Sequence, residues 1–175
     1  MAKVLRAAVL FIAGVVIALT ASLHQQVSFD VMLVLATLTL IGIATIVEYL
    51  ANRGTAESWW IAARAIVAFG AAGALLAITD TIGLALVTAL WAALTAVITL
   101  MRLVRGVQPR RVALPSLLLS IALAVLVIVV AQDPVAVTGF FGAYAILRGV
   151  FLGISAFEAA PEVQPPTPNA DTVER

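Results

Sequence analysis

Apolar residues run along this chain in six long blocks, each broken off by a few polar or turn-forming positions. A helix needs ~20 mainly apolar residues to cross ~30 Å of hydrocarbon. The blocks 4–23, 30–50, 59–78, 81–101, 112–131 and 134–157 meet or approach that length. The separators are short, at 24–29, 51–58, 79–80, 102–111 and 132–133. Links of that length make helices adjacent in sequence pack antiparallel. The pattern predicts an all-α, polytopic membrane bundle of six transmembrane helices, built as three repeated antiparallel hairpins over residues 1–157. Over 158–175 the pattern stops: Pro161, Pro165, Pro166 and Pro168 stand among small and polar residues. Such a tail has too little apolar surface to offset its ordering entropy, and it is expected to be disordered unless bound.

Composition agrees with the pattern and removes most chemistry. Of the 175 residues, 63% are hydrophobic and 11% charged, and mean hydropathy is +1.16. Soluble domains are ~45–50% apolar and ~25% charged, and a domain of this size still needs a polar skin in water. There is no Cys, and His24 is the sole histidine. That leaves no disulfide, iron–sulfur cluster or thiol nucleophile, and no histidine-rich metal site. No glycine-rich phosphate loop, GxSxG or HExxH motif occurs. Net charge is +1 without a basic tract, which argues against a nucleic-acid partner. No catalytic residue, metal or cofactor is expected.

Charge placement orients the bundle. The ten basic residues lie in the N-terminal flank, at the second and fourth connections, in helix halves adjoining that side, or in the tail. The first, third and fifth connections carry none. Short loops follow the positive-inside bias, so both termini are expected in the cytoplasm. Lys3 and Arg6 resemble the start of a signal peptide. The apolar stretch behind them exceeds the ~7–15 residues usual for one, so retention is expected.

Repetition shows in two registers. Asp30, Asp80 and Asp133 each open the second helix of a hairpin, 50 and 53 residues apart. They read as helix N-caps, Asp133 with Pro134 behind it, or as outer-face carboxylates sensitive to acid. Ile41-Gly42, Thr95-Ala96 and Arg148-Gly149 sit at equivalent depths in the returning helices, 54 and 53 residues apart. In the last helix Thr138, Gly142, Ala145, Gly149, Gly153 and Ala156 share one face. Small residues let backbones approach closely, so this stripe is a helix-packing face or a docking face for another protein.

These hairpins resemble the HdeD family of small six-span membrane proteins. The likeness is carried by Gly142-Ala143-Tyr144-Ala145-Ile146-Leu147-Arg148-Gly149-Val150-Phe151 with Asp133-Pro134 before it, and it extends over residues 4–157. The chain departs from the family pattern at Thr95-Ala96, where a glycine is usual, and at Arg148, where a small polar residue is usual. The resemblance implies a bacterial cytoplasmic membrane, no enzymatic activity and a role in acid stress.

Ionisable groups inside spans are functional candidates by default. Glu48, Arg64 and Arg148 fall at similar depth toward the basic side. Either the arginines snorkel to the interface, or Glu48 pairs with Arg64 or Arg148 and pins the hairpins together. Trp59 and Trp60 suit an interfacial belt, and Trp91 falls mid-span facing lipid or packing. His24 reads as a solvated loop residue or an acid sensor. The leading expectation is a non-catalytic accessory or structural subunit that binds lipid and other integral membrane proteins, or its own copies. A small solute, proton or lipid transporter is the second reading. An interfacial enzyme using the outer aspartates ranks last, because no nucleophile–base pair is visible.

Overall fold

The computed structural model describes residues 2–20, 26–55 and 57–158. They form six α-helices: α1 (Ala2–Leu19), α2 (Val27–Ala51), α3 (Ser58–Leu75), α4 (Thr81–Val104), α5 (Arg110–Val129) and α6 (Pro134–Glu158). All six are long and apolar enough to cross a membrane. His24 and the tail beyond residue 158 lie outside the described residues.

The helices outrun the apolar blocks at their charged ends, for a physical reason. A hydropathy block ends at the first charge, whereas a backbone entering hydrocarbon keeps its own hydrogen bonds until it reaches water. Lys3 therefore lies inside α1, Arg102 sits in the last turn of α4, and Arg110 and Arg111 open α5. The α4 end closes on glycine. Gly106 takes φ 68°, its N–H donates to the Leu103 carbonyl, and the Val107 N–H donates to Arg102. This is the Schellman arrangement, which glycine adopts without a Cβ penalty.

At the opposite end Asp80 accepts from the Gly83 N–H at 3.1 Å, and Asp133 accepts from Val135 and Ala136 at 3.0 and 3.1 Å. Both cap their helices. Asp30 differs from the sequence expectation: α2 starts at Val27 with Gln26 as its cap residue, so Asp30 lies in the first turn and is fully buried.

Sequence neighbours close the helices into a ring, α1 through α6 and back to α1. The helices within a hairpin pack less extensively on each other than on the next hairpin, through α2 on α3, α4 on α5 and α6 on α1. The returning helices α2, α4 and α6 lie inward, and α1, α3 and α5 wrap them. Val34, Leu38, Leu84, Ala85, Val137 and Phe141 fill the axis toward the aspartate end. Trp91 belongs to this core, with edge contacts to Phe141 at 5.5 Å and Tyr144 at 5.6 Å. Trp60 is buried, while Trp59 faces outward.

The closest helix approach is α1 on α6. A Cβ on Gly149 would meet the Phe11 amide nitrogen at 2.7 Å and the Ala7 carbonyl oxygen at 2.9 Å. One at Gly153 would meet only the Ala7 methyl, at 4.0 Å. Overfilling a packed contact costs about 1–3 kcal/mol. Gly149→Ala should therefore lower the melting temperature in detergent, and Gly153→Ala should leave it unchanged. Equal effects at the two positions would contradict the close approach.

Candidate functional site

Arginine is costly in hydrocarbon and must face a bundle interior or water. The chain meets that demand by turning its inner charges toward one axis. Arg6 of α1 and Glu48 in the last turn of α2 form an ion pair through Nη1 and Oε2. Their side chains are 5% and 6% exposed, so water screens the pair little. Across the axis Arg102 Nη2 of α4 reaches Glu57 Oε2, beside the start of α3, at 3.4 Å.

Arg148 of α6 takes neutral partners. Its Nη1 donates to Ser120 Oγ at 3.0 Å and to the Tyr144 hydroxyl, and its guanidinium lies 5.3 Å from the Tyr144 ring centre. Ser120 and Tyr144 hydroxyls stand 3.2 Å apart, and Ser120 Oγ is 2.9 Å from the Ser116 carbonyl oxygen. Arg64 of α3 makes no hydrogen bond or ion pair with any described residue, as it lines the same space. The Nε atoms of Arg6 and Arg102 are buried, and neither has an acceptor among the described residues.

These groups surround a cavity of about 180 Å³ to which all six helices contribute. Six cationic side chains line it, Lys3, Arg6, Arg64, Arg102, Arg111 and Arg148, against the carboxylates of Glu48 and Glu57. Lys3 and Arg111 are exposed, and Gln108 and Pro109 stand beside them. Deeper along the axis a space of about 20 Å³ lies between Arg6, Arg64, Arg148, Trp91 and Tyr144. A water requires ~10–15 Å³, so this space admits one. Beyond it the apolar core closes the axis.

Glu48, Arg64 and Arg148 thus meet in one place, but not in the pairing expected. Glu48 bonds Arg6 rather than Arg64 or Arg148. Depth alone could not choose among partners, and Arg6 read as a flank residue because the first apolar block opened so near it. The signals for the remaining members were present. Tyr144 precedes Arg148 by one turn, and Ser116 precedes Ser120 by one turn, so each pair shares a helix face.

The other candidates lie elsewhere. Asp30, Asp80 and Asp133 join no group of three or more acidic or histidine side chains among the described residues. The stripe on α6 is covered from within. Gly142 packs against Ile17, Gly149 against Ala7 and Phe11, and Thr138 and Ala145 are fully buried. Ala156 lines the cavity. Helix α1 occupies this face, so it is a packing surface inside the bundle.

Breaking a buried ion pair by removing one member costs about 3–5 kcal/mol, because the other charge is left uncompensated. Glu48→Gln and Arg6→Gln should each lower the melting temperature in detergent. The double variant should lose much less than the sum of the two. Additive losses would show that the residues act separately.

In comparison with known proteins, the chain matches no family model, no curated protein and no solved structure.

Proposed function

We propose that this chain is a non-catalytic, HdeD-like protein of a bacterial cytoplasmic membrane, with both termini inside. It serves as an accessory or structural subunit that binds neighbouring membrane proteins or lipids, with a role in acid stress. The observation that carries binding over transport is the one-ended polar axis. The arginine-lined cavity stops at Trp91 and Tyr144, and Leu38, Leu84 and Phe141 fill the other half. Transporter sites are built near the midplane around broken helices, whereas α2, α4 and α6 run unbroken through it.

The chemistry of the cavity supports the non-catalytic part. Ser120 and Tyr144 are bonded to each other, to Arg148 and to a carbonyl, with no base among those partners. A serine without a base is a weak nucleophile. Glu48 is held by Arg6. The orientation follows from the cationic end, which belongs on the cytoplasmic side.

Two measurements test this reading. The full chain, tagged and extracted from its own membrane in mild detergent, should bring down stoichiometric protein or lipid partners by mass spectrometry. A protein recovered alone and free of lipid would sink the accessory role. Liposomes that gain solute or proton flux from the purified protein would favour transport instead. Because the chain lacks cysteine, single-cysteine variants report orientation cleanly. Thr79→Cys and Gln132→Cys should react with an impermeant maleimide in cells whose cytoplasmic membrane is accessible from outside, and Thr55→Cys should not. The reverse labelling would invert the topology.

A further inference from the structure

We propose that the axial cavity is a binding site for a phosphate-class oxyanion, supplied either as free inorganic phosphate or as the headgroup of an anionic lipid. Three observations carry this inference, and it stands independently of the accessory-subunit reading.

Charge comes first. Six cations and two carboxylates line the cavity. Clustered cations in a low-dielectric wall repel one another and lack the hydration that water would supply. An anion offsets this surplus of positive charge, which a neutral ligand would leave in place.

The second observation is unused donor capacity. Arg64 has no hydrogen-bond or ion-pair partner among the described residues, and it lines the cavity beside Arg6, Arg102 and Arg148. Nε of Arg6 and Nε of Arg102 are buried with no acceptor among the described residues. A buried N–H lacking an acceptor carries a desolvation cost, larger for a charged group, that a bound anion would relieve. Guanidinium forks match the spacing of phosphate oxygens and bind them in pairs.

Size and access are the third. A water's share of liquid volume is ≈ 30 Å³, and the cavity of about 180 Å³ exceeds that several-fold. A tetrahedral oxyanion fits with bridging waters. Exposed Lys3 and Arg111 stand at the edge of the lining, where they draw an anion in from the helix-end side.

Arg64 gives the decisive variant, since removing it strands no carboxylate. The purified full chain, washed into phosphate-free chloride buffer, is titrated with millimolar inorganic phosphate at constant ionic strength while its melting temperature is read. In parallel, the chain in phosphatidylcholine nanodiscs is compared with nanodiscs containing phosphatidylglycerol. A rise with phosphate assigns the free ion, and a rise with phosphatidylglycerol alone assigns the headgroup.

In either case Arg64→Gln should weaken the apparent affinity at least tenfold while leaving the ligand-free melting temperature unchanged or raised. Ser155→Asp, which places a carboxylate in the cavity lining, should abolish the response. Arg53→Gln, at an arginine over Tyr49 outside the cavity, should leave it intact. The proposal is overturned if neither anion stabilises the protein beyond chloride. It is equally overturned if Arg64→Gln responds like the wild type, or if Arg64→Gln melts lower without ligand and retains full affinity.

Discussion

The Arg6–Glu48 ion pair ties the first helix to the second at the end of the bundle where the charges collect. In hydrocarbon neither ion can be left to lipid, so the two must be enclosed together. That enclosure sets the rest of the charged end. Helices α3 to α6 close around it, and each adds a group to the same space: Arg64, Arg102, Ser116 and Arg148. Burying one pair by encirclement thus brings Arg64, Arg102 and Arg148 to the same axis.

Encirclement in turn needs a ring that closes. The first and last of the six helices make the tightest contact, α1 on α6, because Gly14, Gly142 and Gly149 present no side chains between the backbones. In a membrane, van der Waals contact drives helix association where the hydrophobic effect cannot. The same interface brings Arg6 and Arg148 to one level. Packing and charge are therefore parts of a single arrangement: a bulky residue at Gly149 would open the ring and also loosen the cavity wall.

The halves of the axis differ in kind. Toward the aspartate caps it is solid with leucine, valine, alanine and phenylalanine, and toward the arginines it is hollow and polar. The edge-on aromatic trio of Trp91, Phe141 and Tyr144 marks the boundary. Tyr144 suits that place, since its ring packs with the apolar side and its hydroxyl bonds Ser120 and Arg148 on the other. A one-ended polar chamber is the form of a binding site, and its surplus of guanidinium donors gives that site an anionic preference.

Much of this was legible in the chain. Six apolar blocks and short links determined six helices, their antiparallel order and the end to which arginine goes, because these depend on local hydropathy and on connection length alone. Asp80 and Asp133 were legible as caps, since capping is satisfied within one turn. The true reach of the helices was not, because the apolar pattern stops at the first charge while backbone hydrogen bonding continues past Arg102 and back before Asp30. Nor was the partner of Glu48. Several arginines share its depth, and only the rotation of each helix about its own axis, which for α1 and α6 their glycine contact fixes, decided that Arg6 faces Glu48, that Arg148 turns to Ser120 and Tyr144, and that Arg64 is left with donors to spare.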